Sequence, residues 1–306
     1  MMTAIDHTTT DDGAGQSPGL WRYLRALARD PVTLLAVVFL IVLAISALGA
    51  ELVAPHDPTR LSLAMRNKPP LSPGLLEGVT HYLGTDELGR DLLSRLIFGG
   101  RVSIAVGLIG ALFAGVFGTT LGLIAGYYRG RTDDAVMRAV DAMAALPTLL
   151  IALFFLFVVG AGFWNLVIVL AFVRWRVFAR LTRGMVLSLR EQPYVLAAKA
   201  IGASDTRIIF RHVLPNILSP LMVLFTLEVA VLILAEAALS FLGFGIQPPD
   251  SSWGLMIARG REYLTSAWWL VTLPGLAIFL TTLGLNLVAA WARAITDPVQ
   301  RWRWLA

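Results

Sequence analysis

The chain has no cysteine, only two lysines and four histidines, and charged residues make up just 15% of it. The missing thiols exclude disulfides, thiolate metal sites and cysteine-ligated iron–sulfur clusters. His7, His56, His81 and His212 are scattered and form no HExxH pattern, so no metal cage is expected from spacing. No GxxxxGK[ST] run exists around Lys68 or Lys199, so the chain has no phosphate cradle of that type and no ATPase motif. Catalysis inside a membrane needs a nucleophile, acid/base pair or metal set clustered near the spans, and none stands out. There is no internal repeat of the kind that marks secondary transporters. The net charge of +5 comes from basic residues spread around apolar runs, which speaks against nucleic acid as a partner.

What the chain has in excess is apolar sequence. Hydrophobic residues reach 57%, mean hydropathy is +0.72, and the stretches 102–128 and 263–292 contain no charged residue. A soluble domain carries about one quarter charged residues, and a lipid core of ~30 Å needs roughly 20 apolar residues in a helix. Backbone groups in lipid must bond within their own segment, so each apolar block reads as a helix. The fold class is an all-α polytopic membrane protein with six transmembrane helices, at 32–53, 100–127, 138–160, 163–182, 213–242 and 268–292. Gly160-Ala161-Gly162 supplies the turn between the third and fourth spans. Arg174, Arg176 and Arg180 intrude on the fourth, where they are expected to snorkel toward headgroups.

Basic residues decide orientation. With both termini cytoplasmic, Lys and Arg on the inner side outnumber those outside by about two to one. Residues 1–17 then read as a disordered cytoplasmic tail and 18–30 as an amphipathic helix in the inner headgroup layer, with Leu20, Leu24 and Leu27 on one face. The first transmembrane helix occupies 31–54, an extracytoplasmic loop 55–99, the core 100–292, and a second cytoplasmic tail 293–306.

The longest inner loop, about 183–212, is the most informative. Pro193 suits the first turn of a short helix, Gly202 its left-handed end, and Ser204 the cap of a second helix with Asp205 in its first turn. Pro215 fits the start of the next span. The result is two short helices joined at a glycine corner, slim enough at Ala197, Ala198 and Ala200 for close approach by another surface.

"AAKAIG" followed by "HVLPN" resembles the ATPase-coupling loop of bacterial importer permeases, with Ala197, Ala198, Gly202, Leu214 and Pro215 matching and Leu196 and His212 departing from its usual Glu and Ile. "LGTDELGRDLLSRLIFGGRVS" at 83–103, "RIIFRHVLPN" at 207–216, "AEAALSFLGFGIQPP" at 235–249 and "PGLAIFL" at 274–280 narrow the resemblance. They are similar to the dipeptide/oligopeptide/nickel permeases of ABC importers, in their second, C-type subunit. The resemblance implies a type I importer fold and a bacterial cytoplasmic membrane. It implies a homologous second permease, two cytoplasmic ATP-binding subunits holding ATP and Mg, an extracytoplasmic substrate-binding protein, and a peptide, nickel chelate or glutathione as cargo. No cofactor is expected in this chain itself. Ala197, Ala198, Gly202, Ser204, Asp205, Arg207, His212 and Pro215 would make the coupling contact. A secondary transporter and a non-transporting membrane scaffold are the rival classes.

Polar residues inside the spans supply the remaining candidates. Glu228 and Glu236 lie eight residues apart in the fifth span, close to one helical face, and either line a translocation path or make fixed contacts. Asn286 is expected to bond between helices, or to join that path. Asp141 and Pro147 mark a solvated helix end and a kink. Gly107, Gly110, Gly115, Gly118 and Gly122 suit close helix packing. Outside, Asp86, Glu87, Arg90 and Asp91 form either a docking patch for the binding protein or a self-satisfied charged turn.

Overall fold

The computed structural model describes residues 25–75 and 79–296. The expected tail at 1–17 and most of the amphipathic helix and C-terminal tail lie outside these residues. Helix α1 (Pro31–Leu48) starts where the chemistry of a helix entry is complete: Asp30 accepts from the amides of Val32 and Thr33, and Pro31 stands at the first turn. The Thr33 hydroxyl donates to Asp30 Oδ2 at 2.7 Å, and this bond is the main reason its carboxyl sits below the usual range. A further turn, α2 (Ala50–Val53), leads to an irregular segment and a short antiparallel ribbon, β1 (Ser72–Pro73) with β2 (Thr80–His81).

Helix α3 (Leu92–Tyr128) is 37 residues long, roughly 55 Å at the helical rise, so it outruns a lipid core at its ends. Hydropathy places its start near 100, because Arg95 and Arg101 interrupt the apolar pattern; the Asp91 cap moves the start to Leu92. Helices α4 (Gly130–Ala144) and α5 (Thr148–Val159) replace the single span expected at 138–160. They bend by 89° at the break before α5. Pro147 cannot donate an amide and disfavours a helical residue before it, so the chain turns there. Helix α6 (Phe163–Arg190) follows the Gly160–Gly162 turn.

Helix α7 (Pro193–Ala200) and α8 (Asp205–Ile208) meet at the glycine corner. The second is not a separate helix: α8 passes through a π-turn at Ile209–Val213 directly into α9 (Leu214–Phe241). Within that turn the Leu214 amide reaches back to the Ile209 carbonyl. The wider register lets Pro215 sit inside a continuous helix where it would otherwise crowd the preceding turn. Helix α10 (Trp253–Gly260) and α11 (Trp269–Thr296) complete the bundle.

Among the described residues four helices alone have the length and composition to cross a membrane, or five if the bent α4–α5 pair is one span. Helix α6 is long enough, but its arginines take it out of that set. The bundle is built on α3, whose flank of small residues lets α6 lie against it. A Cβ on Gly118 would stand 2.2 Å from the Trp175 carbonyl oxygen, and one on Gly122 2.5 Å from that of Ala179. Gly284 of α11 lies more loosely against the Leu40 side chain of α1, whose Cγ would stand 3.3 Å from an added Cβ.

Gly118→Ala is therefore expected to destabilise the bundle by about 1–3 kcal/mol through overpacking. Gly184→Ala, with nothing within 4 Å, should leave it unchanged. Thermal unfolding of the purified variants in detergent checks the contrast.

Candidate functional site

The loop at 193–212 is a firm projection. Val195 and Ala198 are buried with Val186, Ile208, Ile209, Val213 and Ile217, so α7 is packed onto the ends of α6 and α9. Gly202 takes φ +84, and the amides of Gly202 and Ala203 bond back to the carbonyls of Lys199 and Ala198. Ser204 accepts from the Arg207 amide at 3.4 Å and opens α8. Asp205 accepts from the Tyr127 hydroxyl at 2.7 Å, which ties α8 to the end of α3. Arg190 donates to the Tyr127 carbonyl, and Arg129 meets Glu191 at 2.6 Å across the same corner. Tyr127 carried no signal in the sequence, because its partner is 78 residues away.

Three apolar side chains of the projection are exposed, Tyr194, Leu196 and Ile201, the last by 86%, beside the charged Lys199. Ala197, Gly202, Ser204, Asp205 and Arg207 are exposed with them, while Ala198 faces inward and His212 is half-buried near Tyr194. Pro215 is exposed on α9, thirteen residues beyond Gly202.

The intramembrane acids take fixed partners. Glu228 is 3% exposed and receives both Nε and Nη2 of Arg174, at 2.7 and 2.5 Å. Glu236 is fully buried and accepts from Ser103 Oγ at 2.8 Å and Ser240 Oγ at 2.7 Å. The two therefore form no common open wall; each carboxylate is consumed by a side chain of the bundle, as lipid requires. Asn286 also departs from expectation, donating to the Thr282 carbonyl of its own helix at 2.7 Å rather than to a neighbour. The arginines of α6 do not snorkel freely: Arg176 donates to Thr148, Arg180 meets Asp141 at 2.6 Å, and Arg183 holds Asp133.

The charged cluster at 86–91 is internal. Asp86 takes Arg90 Nε at 2.7 Å and Arg95 Nε at 3.2 Å, and Glu87 takes Arg90 and Arg259. Asp91 caps α3 through Ser94 and bonds His81. Asp86, Arg90 and Asp91 are each less than one tenth exposed, so they shape a turn rather than offer a docking patch. The fold also brings His56 and His81 onto Asp91, a grouping that separations of 25 and 10 residues do not announce.

These features define a multi-pass membrane protein with a projection that is packed at its base and exposes Tyr194, Leu196 and Ile201. Residues 118–302 match the family described as binding-protein-dependent transport system inner membrane component, and residues 19–70 match the N-terminal transmembrane domain of oligopeptide transport permease C. The chain belongs to this family of bacterial inner-membrane ABC-transporter permeases. It is 40% identical to the di/tripeptide transport system permease protein DppC of Pseudomonas aeruginosa, over 97% of this chain and 98% of that one. It is 37% identical to the probable D,D-dipeptide permease DdpC of Escherichia coli over 89% of each. The glutathione permease GsiD of Pectobacterium atrosepticum is 38% identical over 91% of each. The fold is similar to a chain of the inward-facing MetNI methionine ABC transporter, with a TM-score of 0.53 and 18% identity over 66% of this chain and 97% of that one.

Removing either member of the Arg174–Glu228 pair leaves a buried charge unpaired, which costs about 3–5 kcal/mol. Arg174→Met with Glu228→Leu together should cost less than either single change, and a double-mutant cycle on unfolding in detergent measures the difference.

Proposed function

We propose that this chain is a membrane-spanning permease subunit of an ATP-driven importer of short peptides. The observation that carries this reading is the projection at 193–212, stiffly anchored at its base and apolar at its tip. Exposed apolar side chains grouped on a rigid element mark a protein-binding surface. The partners that fit are two cytoplasmic ATP-hydrolysing subunits carrying ATP and Mg, so the projection and both termini face the cytoplasm. A homologous second permease completes the pathway against the exposed apolar faces of α3 and α9, around Leu112, Val116, Leu218 and Met222. An extracytoplasmic binding protein delivers the cargo. The di/tripeptide and D,D-dipeptide relatives favour a small peptide; the glutathione relative supports a modified tripeptide as the second reading.

In the mechanism, ATP draws the two motor subunits together and the projection moves with them. Because Asp205 is tied to Tyr127 and α8 runs unbroken into α9, displacement of the tip is delivered to α3 and α9 at once. The two permeases then rock between inward-open and outward-open states. The Arg174–Glu228 pair and the Glu236 serine cage keep the moving helices rigid instead of contacting cargo.

The test is ATP-dependent uptake of labelled di- and tripeptides into vesicles holding the complete complex. Tyr127→Phe removes a hydrogen bond to a carboxylate worth about 1.5–3 kcal/mol, so uptake should fall about tenfold with the ATPases still bound. Gly202→Pro cannot reach φ +84 and should abolish uptake. Full transport by Gly202→Pro, or purification of the co-expressed chain free of any ATPase, would overturn the reading.

A further inference from the structure

Three segments distant in sequence converge beside the N-terminal end of α3. His56 follows α2, His81 lies on β2, and Asp91 is the α3 cap. Their ligand atoms lie within 4.8 Å of one another. His81 Nδ1 is 2.9 Å from Asp91 Oδ1, and His56 Nδ1 is 3.5 Å from the same oxygen. A tetrahedral zinc ion with bonds of 2.0–2.1 Å holds neighbouring ligand atoms roughly 3.3 Å apart, between these two separations.

We propose that His56, His81 and Asp91 bind a divalent transition-metal ion of the zinc type, which staples the segment after α2 and the β-ribbon to the start of α3. Four observations support it. His56 Nδ1 is shielded from solvent and has no hydrogen-bond partner, an uncommon state for a buried ring nitrogen. Asp91 is oriented by its other oxygen, Oδ2, which accepts from the Ser94 amide at 2.8 Å and the Ser94 hydroxyl at 2.7 Å, leaving Oδ1 aimed at both rings. Such an outer bond is what fixes a ligating carboxylate. The same Ser94 hydroxyl accepts from the His56 amide at 3.1 Å, so the backbone carrying His56 is already held to the site. Finally, a cavity of about 100 Å³ adjoins the three residues, and the His56 side chain is 25% exposed, which gives an ion a way in.

The chemistry balances simply. Both rings bind through Nδ1 as neutral imidazoles with the proton on Nε2. A neutral His81 that hydrogen-bonds Asp91 through Nδ1–H changes tautomer as the metal enters: the Nδ1 proton leaves to solvent while Nε2 takes one up, so no net proton is released. Imidazole with carboxylate selects a borderline ion over calcium or magnesium. Asp57 and Arg60 line the same cavity with opposite charges. The inference is independent of the cargo and of the motor subunits.

The experiment uses the full untagged chain in detergent, stripped with chelator, dialysed against zinc chloride and measured by elemental analysis and by competition with a zinc dye. One zinc per chain is expected, together with a higher unfolding temperature that chelator reverses. His56→Asn and His81→Gln should each weaken binding by about tenfold or more and abolish the thermal shift, while His212→Asn leaves both unchanged. If His81→Gln does not fold, the partly exposed His56→Asn decides the matter alone. Absence of stoichiometric zinc from the wild-type chain, or undiminished binding by His56→Asn, would overturn the proposal.

Discussion

An ion in hydrocarbon must be paired, and this requirement organises the bundle. Arg174 on α6 and Glu228 on α9 neutralise one another with two hydrogen bonds, which sets the rotation of both helices about their axes. Glu236 is held about two turns further along by serines from α3 and α9. The hydroxyls are themselves shared: Ser103 also accepts from the Trp253 amide, and Ser240 from that of Ile246. Those bonds lock α10 and the chain leading to it against α3 and α9. A polar thread thus runs through an apolar body, and each strand of it joins helices that hydrophobic contact alone would leave free to slide.

Around this thread the helices approach as closely as their side chains permit. Gly118 and Gly122 bring the α3 backbone against the carbonyls of α6, so the two helices pack backbone to backbone. The π-turn at Ile209–Val213, the Tyr127–Asp205 bond and the buried Val195 and Ala198 join the projection at 193–212 to two long helices. At the opposite end of α3, Asp86 and Asp91 gather arginines and histidines from the loop and from α3.

Hydropathy located α1, α3, α9 and α11, since long apolar runs leave a chain in lipid few alternatives. It misjudged the 138–160 block, where apolar character continues across Pro147 while the backbone turns by 89°. Turn chemistry at Pro193, Gly202 and Ser204 was equally legible, because each acts on its own neighbours through φ or a local cap. The roles of Glu228, Glu236 and Asn286 were not. A carboxylate eight residues from another reads as a shared face, yet its partner is chosen by whichever helix packs there.

The sequence alone therefore determined the properties set by local sterics and solvent transfer: an all-helical membrane body, the helix entries and exits, and the family pattern of the inner loop. Only the tertiary structure decided the pairing of Arg174 with Glu228, the burial of the Asp86–Asp91 turn and the meeting of His56, His81 and Asp91. The reason is physical. Charge pairing and metal-type convergence depend on distances between segments tens of residues apart, and those distances exist only after the helices have packed.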